Sequence, residues 1–308
     1  MAHRELRLPL TATGRLDRVL ADALGVGRAA VKRAFALGEV RVRGRRARAS
    51  DPAEPGAPVA VEIEMSGPID PDPKLPLRVL AEGPGWLVAD KPAGVATHPL
   101  REGETGTLAS AVVARHPECA AASPDPRDGG AVQRLDVETS GCVLFARDRA
   151  AWEALHAQLS ARTVDKRYLA LAAGRVASGG VCSVPLAARG GRVVPVPDPE
   201  RPPKTTGAPR PAETRYEVRR AFEQHTLLEV RIITGVMHQI RAHLAWLGHP
   251  VAGDVLYGGS AVALPGLTRH FLHAEVLGFE RPEGGRITVE SPLPAELERV
   301  IQSLTPAG

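Results

Sequence analysis

The chain has no apolar run long enough to cross a bilayer. Its first seven residues carry no apolar segment of the secretory kind. Cysteine is scarce: Cys119, Cys142 and Cys182 lie far apart, with neither a zinc spacing nor an even set for a disulfide framework. That usage fits a reducing compartment, and a cytoplasmic protein with no membrane partner is expected. No internal repeat is present. Gly25 and Gly27 follow a helical pattern instead of a strand, which excludes a dinucleotide loop. His238, His243, His249 and His273 have no cysteine or carboxylate cluster to complete a coordination set. The first two are five residues apart, a spacing that does not put both on one helix face. No metal is therefore expected.

What the chain does have is enough apolar content for a sizeable core, 44% over 308 residues, and an uneven charge. The first fifty residues hold twelve Lys/Arg against four Asp/Glu, a net of +8, while the remainder carries −4. Concentrated cationic charge in a short segment is the footprint of a polyanion partner. A solvated basic face is the other reading.

Three segments follow. Residues 1–65 form a small basic module. Leu16, Val19, Leu20 and Leu24 recur at helical spacing, and Gly25 can end that helix. A second helix is expected over 28–37, with Val31 and Phe35 on one face and Gly38 as its stop. Residues 39–43 alternate as a strand before a turn at Gly44, and 59–63 reads as another strand. Residues 66–75 are rich in proline and read as a semi-rigid linker. Residues 76–308 form the main domain. Strands are expected at 79–80, 86–89, 168–172 and 226–233, a loop over 117–130, and a helix over 148–159 with Trp152, Leu155 and Leu159 on one side. The Pro/Gly/Arg-rich stretch 188–211 reads as a surface loop or a partly disordered hairpin.

The most informative stretch is Gln133-Arg134-Leu135-Asp136-Val137-Glu138-Thr139-Ser140-Gly141. It places a lone carboxylate between a cation and a polar turn, just before an apolar strand-like run. A loop on a rigid scaffold can present such an acid to a substrate. A salt-bridged turn aspartate is the plainer alternative. The segment resembles the Arg-Leu-Asp-x-x-Thr-Ser-Gly signature of the RluA family of RNA pseudouridine synthases. Lys166-Arg167-Tyr168-Leu169-Ala170 resembles that family's Lys-x-Tyr-x-Ala block. Thr234-Gly235-Val236-Met237-His238-Gln239-Ile240-Arg241-Ala242-His243-Leu244 resembles its Thr-Gly-Arg-Thr-His-Gln-Ile-Arg-x-His-Leu block. Residues 90–94, 247–254, 257–258 and 272–274 also match, all in family order. The N-terminal module resembles the small RNA-binding domain named for a ribosomal small-subunit protein, on Arg15-Leu16-Asp17 and Gly38-Glu39-Val40-Arg41-Val42.

The resemblance implies an α+β fold with a mixed, largely antiparallel central sheet, plus a small N-terminal α/β module. It implies an isomerase that converts uridine to pseudouridine, most simply in ribosomal RNA, acting as a monomer without a cofactor. Asp136 would be the essential carboxylate, attacking the anomeric carbon or removing the neighbouring 2′ proton. Arg241 would pair with it, although periodicity alone equally allows a helix-surface charge. Tyr168 would pack beside the target base and relay a proton or stack; a core tyrosine is the other reading. Arg134 would fill the gap left by the flipped nucleotide or contact a phosphate. Leu135, His238 and Gln239 complete the implied substrate site. Arg28, Lys32, Arg33, Arg41, Arg43, Arg45 and Arg46 would line a phosphate-facing surface of the module. The sequence departs from the pattern twice. Gln133 replaces the usual histidine, and Val236-Met237 replaces Arg-Thr. A non-catalytic RNA-binding or ribosome-assembly factor on the same fold, and a synthase acting on transfer RNA, are the rival readings.

Overall fold

The computed structural model describes residues 2–24, 28–63, 69–100, 103–198, 200–201, 203–205, 207–258 and 264–307. Its first sixty residues build a small layered unit. It contains β1 (Ala2–Arg7), α1 (Leu16–Leu24), α2 (Arg28–Leu37), β2 (Val40–Val42), β3 (Arg45–Arg46) and β4 (Pro58–Ile63). The sheet runs β1-β4-β2-β3, all neighbours antiparallel. Both helices have the expected bounds, because apolar residues at helical spacing turn Leu16, Leu20, Val31 and Phe35 inward. Gly38, at φ +79°, takes the left-handed conformation after α2, where glycine is favoured. β1 was not anticipated: its Arg and Glu side chains hide the alternation, and only pairing with β4 makes it a strand. Gly25, expected to stop α1, lies outside the described residues.

The expected linker also lies partly outside them. From Ile69 onward it is no spacer: Ile69 is buried in the main core, and the Asp72 amide donates to the Ser110 carbonyl at 2.9 Å. The main unit follows with β5 (Val79–Gly83), β6 (Trp86–Lys91), α3 (Leu108–Arg115), β7 (Ser140–Ala146), α4 (Arg149–Ala161), β8 (Asp165–Ala173) and β9 (Gly180–Cys182). Then come β10 (Leu186–Arg189), β11 (Arg192–Pro195), β12 (Thr214–Ala221), β13 (His225–Ile232), α5 (Gln239–Trp246), β14 (Leu272–Glu280), β15 (Arg286–Glu290) and α6 (Ala295–Ser303).

Among the described residues, the central sheet runs β5-β6-β7-β14-β8-β13-β12-β9, with β15 on the far half of β14. All pairings are antiparallel except β7 with β14. The fold is thus α+β with a mixed, largely antiparallel sheet, as the resemblance implied. β7 is buried along its whole length, consistent with its uninterrupted apolar run. α4 begins where Asp148 caps it, accepting a hydrogen bond from the Ala151 amide at 2.8 Å. The loop expected over 117–130 contains two short 3-10 turns, at Pro117–Ala121 and Pro126–Asp128.

Of the two readings of the stretch 188–211, a surface loop or a partly disordered hairpin, the structure has the hairpin at its start. β10 and β11 pair as a hairpin, and Leu186 and Val193 pack with Ala212, Val236 and Ala242 in a separate apolar cluster. The few apolar residues among many Gly, Pro and Arg are enough to dock it, because a ready partner surface exists on α5 and the loop before it.

Candidate active site

Asp136 sits in the loop that enters β7, and that loop is tied down from several sides. The buried Lys91 ammonium, at the end of β6, donates to the carbonyls of Pro92, Val95 and Val137 at 2.9, 2.6 and 2.8 Å. Burial pushes Lys91 down to about 7, with nearby Arg269 adding to the shift. Yet three carbonyl acceptors match the three donors of an ammonium, whereas a neutral amine has only two. The Thr97 hydroxyl both accepts from the Leu135 amide at 3.1 Å and donates to the Leu135 carbonyl at 3.2 Å. Arg269 donates to the Glu138 carbonyl at 2.9 Å. Thr139 and Ser140 are hydrogen-bonded to His270 and His273 at 2.8 and 2.9 Å. Burial pushes His270 down to about 4, with Arg241 nearby adding to the shift, so its ring is neutral near pH 7. Gly141 allows the closest approach: a Cβ there would lie 2.2 Å from the Ala274 carbonyl oxygen on β14, and its φ is +116°.

Arg241 comes from the first turn of α5. It is buried, which disposes of the helix-surface reading. Its Nη1 donates to Asp136 Oδ2 at 2.9 Å, while Nε and Nη2 grip Asp254 at 2.6 and 2.9 Å in a bidentate fork. Burial works against the Arg241 charge, but Asp254 and then Asp136 outweigh it, and the net shift is upward. Asp254, with no exposed side chain, also accepts from the amides of Leu256 and Tyr257 at 3.1 and 3.2 Å. The Arg241 guanidinium lies 5.3 Å from the centre of the Tyr257 ring.

The approach to α5 is fixed by side chains. His238 holds a left-handed conformation, φ +54°, and is hydrogen-bonded to the Tyr257 hydroxyl at 3.2 Å. Its Nε2 lies 3.8 Å from Asp136 Oδ1. Burial pushes the His238 ring down, partly opposed by Asp136. The Gln239 amide oxygen accepts from the Thr234 hydroxyl at 2.7 Å and the Val236 amide at 3.1 Å. Its nitrogen donates to the Glu213 carbonyl and the Thr214 hydroxyl at 2.8 and 3.0 Å. His243 is hydrogen-bonded to Thr214 and to the Val184 carbonyl, both at 2.8 Å. These contacts position α5 and give the histidines partners other than a metal.

The candidates from three distant blocks meet here. Arg134, Leu135, Asp136, Tyr168, His238, Gln239 and Arg241 all line one open cleft of about 270 Å³. Tyr168, on β8, is buried at the cleft wall, and its hydroxyl has no hydrogen-bond partner among the described residues. Burial pushes its phenol up, and the charge on Asp136 adds to that. A neutral phenol ring is thus available for packing against a flat base, but it is no strong base. Arg134 is exposed at the cleft and makes no ion pair among the described residues. Gln133, the first departure, keeps a role: its side-chain amide donates to the Cys142 carbonyl at 3.4 Å. Val236, the second, is buried against the β10–β11 hairpin, while Met237 is half-exposed on the cleft.

The N-terminal cations lie elsewhere. Lys32, Arg33, Arg41, Arg43, Arg45 and Arg46 are all exposed; the Arg28 side chain lies outside the described residues. Arg43 is paired with Glu54 at 3.0 Å.

Sequence reasoning passed over Asp254, Lys91, Tyr257, Arg269 and His270. The first three lie inside matched blocks but had no assigned role. A buried partner for Arg241 was the missing idea, because a guanidinium with five donors rarely serves one carboxylate alone when buried.

A polar floor of one guanidinium between two carboxylates, below a neutral aromatic wall, is suited to an acid acting on a flat, extruded ring. Comparison with known proteins gives the class. Residues 85–246 match the family model described as RNA pseudouridylate synthase, and the chain belongs to that family of isomerases, which convert uridine to pseudouridine in RNA. Among its relatives is ribosomal large subunit pseudouridine synthase D of Xanthomonas campestris, 37% identical over 98% of this chain and 92% of the relative. Another is ribosomal large subunit pseudouridine synthase C of Pasteurella multocida, 34% identical over 94% of this chain and 90% of the relative. The structure of human RNA pseudouridylate synthase domain containing 1 shares the fold. Its TM-score is 0.60 at 23% identity, covering 78% of this chain and 92% of the human one.

Proposed function

We propose that this enzyme isomerises uridines of ribosomal RNA and that Asp136 is its essential carboxylate. The observation that carries the assignment is the Asp136–Arg241–Asp254 arrangement at the floor of a cleft walled by Tyr168. The ribosomal target is supported by the names of the relatives similar over nearly the whole chain. In the reaction, the bond from N1 of uracil to the sugar breaks, the base turns, and a bond from C5 forms. The C5 proton is lost and N1 gains one, so no electron is gained or lost overall. Neither a redox cofactor nor a metal is required by that balance. Asp136 would act at the sugar, as nucleophile or as base, with Arg241 holding its Oδ2. Tyr168 would pack on the extruded base, whose removal from the stack costs a few kcal/mol. Arg134 would occupy the vacated space or contact a phosphate, and Leu135, His238 and Gln239 would shape the pocket. The module at 1–65, joined through 66–75 to the catalytic domain at 76–308, would act as an RNA grip. Since one chain supplies every cleft residue named above, a monomer suffices, and the reducing compartment implied by the cysteines is the cytoplasm.

Tritium release from RNA labelled at uridine C5 tests the reading. Ribosomal RNA from a deletion strain should release tritium with the wild-type protein, and transfer RNA should not. Asp136→Asn should lower the rate by at least about a thousandfold, with the fold retained. Near-normal release by that variant would sink the assignment. Release from transfer RNA alone would overturn the ribosomal target.

A further inference from the structure

Arg210 was not among the sequence-derived candidates, yet it lines the same cleft as Asp136. Its backbone is fixed: the Arg210 amide donates to the Leu186 carbonyl at 2.8 Å, and the Leu186 amide donates to the Arg210 carbonyl at 3.0 Å. Leu186 is fully buried and packs with Val193, Ala212 and Val236. The arm that ends in Arg210 is tied to the floor of the site as well. The Tyr257 hydroxyl accepts from the Val193 amide at 2.9 Å and donates to the Val193 carbonyl at 3.2 Å. The same hydroxyl is hydrogen-bonded to His238, and the ring of Tyr257 lies under Arg241. Arg210 is therefore held in register with Asp136, although 74 residues separate the two in sequence.

The guanidinium itself is exposed and makes no ion pair or side-chain hydrogen bond among the described residues. Asp136, the carboxylate among the cleft-lining residues, is already engaged by Arg241 at 2.9 Å. A backbone fixed at both its amide and its carbonyl, carrying an unengaged cation into a substrate cleft, is a ready partner for an anion. The arm carries four further exposed cations, Arg189, Arg192, Arg201 and Lys204, against Asp198 and Glu200, which makes its surface attractive to a polyanion. Val236 explains why the cation comes from here. Where the RluA motif has an arginine, this chain has a valine buried under the arm. A charge at that position would be buried in an apolar cluster, so the same substitution seats the arm and leaves the cleft short of one cation.

We propose that Arg210 binds a phosphate of the RNA strand flanking the target uridine, with the β10–β11 arm as its scaffold. The inference rests on the reading of the cleft as an RNA-modifying site. It makes Arg210 a binding residue and leaves the chemistry to Asp136.

The test uses the full-length protein and a short, unmodified RNA stem-loop containing a uridine that the wild-type protein isomerises. Arg210→Gln should raise KM about tenfold with kcat within about threefold of wild type, because a ground-state contact is lost. In an Asp136→Asn background, the same change should weaken RNA binding and reduce the slope of log affinity against log salt by about 1. Arg210→Lys should restore most of that slope. Arg299→Gln, an equal loss of charge on α6 outside the cleft lining, should change none of these. Unchanged KM and salt slope in Arg210→Gln would overturn the proposal, as would a change in preference among RNA sequences with no change in slope, the mark of a base contact. If wild-type protein turned over no RNA, the functional reading would fail by itself. The binding measurement would still decide whether Arg210 engages phosphate.

Discussion

At the residue scale, the site is governed by how one buried guanidinium is shared. Arg241 gives two of its hydrogen bonds to Asp254 and one to Asp136. Asp254 is thus the structural partner, and Asp136 is the partly accessible end of the chain of charges. Removing the buried partner should be the costly change. Asp254→Ala leaves Arg241 undercompensated and two amides, of Leu256 and Tyr257, without their acceptor. It should destabilise the protein by about 3–5 kcal/mol, as breaking buried pairs does, and should impair turnover through a misplaced Arg241. Asp254→Asn retains the amide acceptor and should recover part of the loss in a urea titration. An Ala variant within about 0.5 kcal/mol of wild type would show that Arg241 is held by other groups.

Elements matter at the next scale, because the loop carrying Asp136 has little regular structure of its own. Its placement is delegated to β6 through Lys91, to the segment before β14 through Arg269 and His270, and to β14 through His273. The β7–β14 pairing is the closest of these junctions, and Gly141 is its weakest point for substitution. Gly141→Ala puts a Cβ 2.2 Å from the Ala274 oxygen, on a backbone at φ +116°. Neither partner is a flexible side-chain end that can move aside. The expected cost is roughly 3–5 kcal/mol, read as a lowered urea midpoint, and turnover should fall further than stability alone explains. Retention of full activity at wild-type stability would mean that the strands can separate without moving Asp136.

On the scale of the whole molecule, charge and core are partitioned. The small N-terminal core, built on Leu16, Leu20, Val31, Phe35, Val40 and Val61, shares no residue with the large one. The first fifty residues carry a net +8, and none of their described residues lines the cleft. Removing residues 1–65 keeps Ile69, which belongs to the large core. That truncation should fold, bind RNA more weakly, and show a shallower salt dependence because fewer counterions are released. Turnover on saturating short RNA should survive. An unchanged salt slope would deny the module its role as a grip. Lost turnover at saturation in a well-folded truncation would mean that it helps to complete the site.

Local order was legible in the sequence wherever periodicity or a cap fixes the backbone. α1 and α2 follow from apolar spacing, α4 from Asp148 and its apolar face, and β7 from an unbroken apolar run. β1 was not legible, and the β10–β11 arm was legible only as a hairpin or a surface loop, because their few apolar side chains acquire meaning only against β4 and α5. The residue types of the site stood in three motif blocks, and the resemblance grouped them. What only the tertiary structure decided is how charge is distributed within that group. The distance from Arg241 to Asp254, the burial of Tyr168 and the exposure of Arg210 depend on which segments pack together. Sequence order carries no information about through-space electrostatics until the sheet brings β7, β8, α5 and the arm to one cleft.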